Sequence, residues 1–175
     1  MSMSRIAIAP DALTTERLRE IGLFGALSDD VLTKLASTLH QVRVGAGDVI
    51  FSEGDPASEM FIVLEGEVEV VKKSRKGRLH RVAFLGPLDT FGEMSVIDVQ
   101  PRSATARSLA PTRLLRLATD DLDQLYRHDL KAYALIVLNV ARDLSRRLRV
   151  TDGILADFTA NMLDDYLDRG RNPRL

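Results

Sequence analysis

The chain contains no cysteine, which excludes a disulfide framework and a thiolate metal site and is compatible with a reducing compartment. Its three histidines, His40, His80 and His128, have no ligand-like spacing, so no metal is assigned. Charge of one sign is also missing. The 24 Lys and Arg residues against 25 Asp and Glu leave a net charge of -1, which withholds the global positive field that drives non-specific binding to nucleic acid. Long apolar runs are absent too: the longest nearly uncharged one, 132–141, is far shorter than the roughly 20 residues needed to cross a bilayer. The first ten residues lack the apolar stretch of a secretory signal. These absences describe a soluble, cytoplasmic protein without membrane or DNA partners, and no sequence repeat or low-complexity segment alters that reading.

What is present fits one globular domain with some additional helix. At 175 residues, with 45% hydrophobic and 28% charged residues, the chain can bury a core. Residues 1–40 read as a helical lead-in, with Leu18, Ile21, Leu23 and Phe24, then Leu32, Leu35 and Leu39, at helical spacing. Ser28 before two aspartates is the expected N-cap of the second helix. Over 41–118 the texture changes to short runs rich in Val, Ile and Phe broken by glycines. Strands are expected at about 41–44, 48–51, 59–65, 67–72, 79–85, 103–109 and 113–117, as in a closed barrel or a jelly roll. Glu65, Glu67 and Glu69 alternate and are expected to face water.

Residues 119–175 return to helical periodicity, with a helix opening at Thr119 and a longer one from Leu130. Ala134, Val137, Ala141, Leu144, Leu148, Leu155, Phe158 and Met162 follow three-four steps, with Thr151 in one slot. That stripe is either a helix-helix seam, giving a homodimer, or a face packed on the barrel. Asp152-Gly153 either continues the helix or turns it. Arg142, Arg146, Arg147 and Arg149 are diluted by Asp143 and Asp152 and read as a solvated face.

The informative stretch is 91–106, FGEMSVIDVQPRSATA. Gly92 and Glu93 stand at the start of a short helical turn, where unpaired amides and a glycine's close approach suit an anion. Glu93 would repel a phosphate and better accepts hydrogen bonds from sugar hydroxyls. Arg102, fixed after Pro101 at the entry to a strand, can pair two phosphate oxygens at once, and Ser103 adds a hydroxyl and an amide. A phosphate site beside a ribose site suggests a nucleotide.

This stretch resembles the phosphate-binding cassette of the cyclic-nucleotide-binding family, in which a Phe-Gly-Glu turn, here Phe91, Gly92 and Glu93, and a later Arg-Ser-Ala, here Arg102, Ser103 and Ala104, clamp the ligand. The resemblance extends through Leu23–Ala36 and Gly45–Val70 and covers about 15–155. It implies an eight-stranded antiparallel jelly-roll β-barrel (double-stranded β-helix), mainly β, with N-terminal helices and a long C-terminal helix for lid and dimer. By the same resemblance Glu93 binds the ribose 2′-hydroxyl, Arg102 the cyclic phosphate, and Gly92, Met94 and Ser103 assist. Val82 and Ala83 wall the base pocket, Arg147 supports it, and Thr151 bonds the adenine edge. A threonine there can instead bond the carbonyl one turn back. The implied ligand is cAMP, with cGMP as the alternative. The family's DNA-binding members place a helix-turn-helix after the long helix, whereas here only 154–175 follow Gly153, so no DNA binding is expected. The rival readings are a degenerate jelly roll kept for dimerisation or partner docking, and a cupin-like metal enzyme, disfavoured by the scattered histidines.

Overall fold

The computed structural model describes residues 7–8 and 13–171. The chain divides into two compact units, Met1–Val137 and Leu138–Leu175. The first begins with β1 (Ala7–Ile8), α1 (Thr15–Glu20), a 3-10 turn (Gly22–Phe24) and α2 (Asp29–Thr38). The Thr14 hydroxyl caps α1 by accepting from the Arg17 amide at 3.3 Å. Ser28 stands at the N-cap of α2, but its hydroxyl makes no capping bond, so the first-turn carboxylates Asp29 and Asp30 act there without it. Leu18, Ile21, Leu23, Phe24, Leu32, Leu35 and Leu39, the residues at helical spacing, are all buried. Arg17 crosses to donate to the Leu64 carbonyl at 2.7 Å.

Eight further strands follow: β2 (His40–Val44), β3 (Val49–Phe51), β4 (Glu59–Glu65), β5 (Val68–Lys73), β6 (Leu79–Leu85), β7 (Thr90–Phe91), β8 (Thr105–Ser108) and β9 (Thr112–Ala118). One antiparallel sheet runs β1-β2-β9-β4-β7 and the other β3-β8-β5-β6. The fold is thus mainly β with helices, with nine strands among the described residues rather than eight. β1 and β7 have two residues each, too short to show a period in the sequence. Between the sheets lies a core of Val42, Val44, Phe61, Val63, Val68, Leu85, Phe91, Ala106 and Leu114. In β4 the opposite face, Met60, Ile62 and Leu64, is buried as well, which accounts for its near-continuous apolar sequence.

Glu69 departs from the expected alternation. It is 5% exposed, holding Arg107 through Oε1 and Arg81 at 3.8 Å through Oε2; Glu65 and Glu67 are exposed as expected. A strand carboxylate becomes buried when cross-strand arginines cover it, and spacing along its own strand cannot reveal that.

After α3 (Met94–Ile97) and α4 (Thr119–His128), α5 runs unbroken over Leu130–Arg171. Gly153 continues the helix, and a Cβ there would meet no atom within 4 Å. In the second unit Leu148 is 61% exposed, and Leu155, Phe158 and Met162 are exposed to a similar degree. Arg146 and Arg147 both pair with Asp143, at 3.5 and 2.8 Å. Among the described residues no helix is long and apolar enough to cross a membrane.

Candidate anion site and family

The site is built where the loop after β7 meets the segment entering β8. Four ties fix the entering backbone. The Arg102 amide donates to the Asp55 carbonyl at 2.9 Å, and the Gly54 amide donates to the Arg102 carbonyl at 2.9 Å. The Glu53 amide reaches Thr105 Oγ1 at 2.9 Å, and Lys72 Nζ donates to the Ser103 carbonyl. Lys72 also pairs with Glu53 at 3.2 Å. The Lys73 amide, and then this ammonium, hold the Glu53 carboxyl below its usual range. The turn after β3 therefore splints the Arg-Ser-Ala run, a role the sequence reading did not assign.

Arg102 is 4% exposed. Its Nη1 donates to the Gly92 carbonyl at 2.9 Å, its Cζ lies 4.0 Å from the centroid of the Phe51 ring, and its buried Nε has no hydrogen-bond partner. Among the described residues no carboxylate is within ion-pair distance of it. Burial pushes the guanidinium below its ordinary pKa, while the fields of Glu59, Asp55 and Glu93 act in the opposite direction. A desolvated cation with an unused donor and no counter-ion is costly to the fold. An anion that supplied the missing acceptor and charge would remove that cost, so the residues present fit a phosphate.

Gly92 closes the other side with φ +78°. A Cβ there would sit 2.7 Å from Arg102 Nη1 and 3.3 Å from Phe51 Cε1, so only glycine lets this backbone approach the guanidinium without strain. Glu93 is buried, and its carbonyl accepts from the Val96 and Ile97 amides, both at 3.0 Å. With only four residues in α3, little helix dipole accumulates, and the positive charge of the site comes from Arg102.

The other expected residues fall into four groups. Phe91 lies in the core against Phe61, with centroids 5.5 Å apart, and Ala104 is buried. Met94 is half exposed, and its sulfur accepts from the Ser103 hydroxyl at 3.8 Å. Ala83 packs on the inter-sheet core, whereas Val82 is 58% exposed where the β5–β6 register slips; an interruption of this kind re-aims a side chain. Arg147 and Thr151 belong to the second unit, where the Thr151 hydroxyl donates to the Arg147 carbonyl at 3.0 Å. The helix thus uses the threonine's local option.

Residues 41–129, which include every part of the anion site, match the cyclic nucleotide-binding domain. The chain belongs to that family. It is 30% identical to the CRP-like cAMP-activated global transcriptional regulator of Mycobacterium tuberculosis over 81% of this chain and 62% of that protein. It is 29% identical to the cAMP-dependent protein kinase regulatory subunit of Dictyostelium discoideum over 69% of this chain and 40% of that one. It therefore spans less than two thirds of the length of these relatives. A solved cyclic nucleotide-binding domain from Methylobacillus flagellatus superposes with a TM-score of 0.80 at 28% identity, covering 87% of this chain and 89% of that one. The family match ends before Arg147 and Thr151, so the two helix residues stand outside it.

Proposed function

We propose that this domain is a non-enzymatic sensor that binds a cyclic mononucleotide, cAMP in preference to cGMP, and couples binding to the position of its C-terminal helix. The observation that carries the reading is Arg102: buried, splinted on both backbone sides, without a counter-ion and with Nε unpaired. A cyclic phosphate brings one negative charge and several acceptors to that guanidinium. Glu93, beside it but negative, suits the ribose 2′-hydroxyl. By resemblance Ala83 and Val82 serve the base, and Arg147 and Thr151 are the α5 residues assigned to the ligand. The relatives named for cAMP support the choice of ligand. A jelly roll is supported by the strand orders β2-β9-β4-β7 and β3-β8-β5-β6, which alternate strands from distant parts of the chain as Greek-key pairing does. The exposed apolar stripe of α5 supports a homodimer through that helix. Ligand shifts the helix only to the extent that it binds one arrangement better than another. Titration of the purified protein with cAMP, cGMP and cyclic dinucleotides tests the reading; saturable binding of a cyclic mononucleotide is expected, and failure of all of them to bind or to raise the melting temperature would leave a docking module in its place.

A further inference from the structure

Three carboxylates act on Arg102 through their fields, Glu59, Asp55 and Glu93, and the first two have other partners. Glu59 pairs with Arg116, and Asp55 accepts the Ser52 amide at 2.8 Å. What Arg102 has instead is the face of Phe51, 4.0 Å from its Cζ. That ring is itself immobilised: it stacks on Phe61 at 6.2 Å and 25° and leans on Phe91 at 5.9 Å and 34°. Its edge also lies against the space left by the missing Gly92 side chain. A guanidinium over an aromatic face is stabilised by the ring quadrupole without being neutralised.

We infer that Phe51 is the positioning residue of the anion site, holding the Arg102 guanidinium flat, desolvated and still fully charged before ligand arrives. An incoming phosphate then has no ion pair to displace and little side-chain freedom to freeze, which lowers the cost of binding. The identity of the anion rests on the proposed function; the role of Phe51 toward Arg102 rests on the stacking alone.

Two variants and two readouts test it. Phe51→Tyr keeps the ring face and Phe51→Leu removes it. In cAMP titrations Phe51→Leu is expected to bind about three- to thirtyfold more weakly, the span of a cation–π contact from exposed to desolvated, while Phe51→Tyr, which keeps the ring face, stays within about twofold of wild type. In the nucleotide-free protein the Arg102 Nε–H NMR resonance, assigned by its loss in Arg102→Met, should be shifted upfield by the ring, remain so in Phe51→Tyr, and return toward the bulk of arginine signals in Phe51→Leu. A merely structural phenylalanine would not move that resonance in this order. Wild type that binds cAMP alongside a Phe51→Leu protein of equal affinity, or an unshifted Arg102 resonance in wild type, overturns the role of Phe51 and leaves the proposed function standing. Wild type that takes up no cyclic nucleotide while its Arg102 resonance follows the expected order removes the ligand assignment and supports the role of Phe51.

Discussion

The Gly92 carbonyl accepts from Arg102 Nη1 at 2.9 Å, and a Cβ on Gly92 would lie only 2.7 Å from that same nitrogen. One residue thus both holds the guanidinium and makes room for it. Gly92→Ala is expected to cost about 1–2 kcal/mol of stability from the positive φ, read by urea denaturation. Because the clash falls on the far end of the Arg102 side chain, the guanidinium will be displaced from its place over Phe51, and cAMP affinity should fall more than tenfold. Unchanged affinity would show that the guanidinium position is not what the ligand reads.

The lone charge of Arg102 makes a second expectation, on stability without ligand. Folding depresses its pKa through burial, so the charged form is disfavoured in the native state. Arg102→Met keeps the stem over Phe51 and removes the charge. Without nucleotide it should be at least as stable as wild type, with a gain of up to about 2 kcal/mol. A loss beyond about 1 kcal/mol would mean that the carbonyl bond and ring contact outweigh the desolvation.

How far the sequence foretold this architecture depends on whether a feature is written in neighbours along the chain. The strand 59–65 was legible from an apolar run between turns, and the meeting of the 91–93 turn with Arg102 was implied by the resemblance of the motif, though not the bond from Arg102 to the Gly92 carbonyl. Phe51 was not legible: its partner lies 51 positions away, and an apolar strand residue looks alike whether it fills a core or carries an arginine. The same holds for Glu69, whose burial is decided by Arg81 and Arg107 on adjacent strands. Two-residue β7 was invisible for lack of length, yet it delivers Phe91 to the aromatic cluster.

The proposed function assigns base selectivity to Thr151. Its hydroxyl donates to the Arg147 carbonyl, so only its acceptor lone pairs remain, and these suit the exocyclic amine of adenine rather than the O6 acceptor of guanine. Thr151→Ala should weaken cAMP by about 0.5–1.5 kcal/mol and cGMP less, in competition binding. A protein that ranks cGMP first, or a variant with unchanged preference, would refute this assignment while leaving Arg102 in place.

Leu148, Leu155, Phe158 and Met162 leave large apolar surface on α5 exposed. If a second copy covers it, Leu148→Glu should convert dimer to monomer in light scattering, since a charge in a helix seam lacks a partner. A wild type that stays monomeric at all practical concentrations would argue for a different use of that face.

The most direct test of the account is titration calorimetry of cAMP into wild type and Arg102→Ala. A saturable site is expected in the wild type and a loss of about 2–5 kcal/mol in the variant, about thirty- to several-thousandfold in affinity, as when one partner of a buried charge pair is removed. Equal affinities in the two proteins, each still folded by circular dichroism, would contradict it.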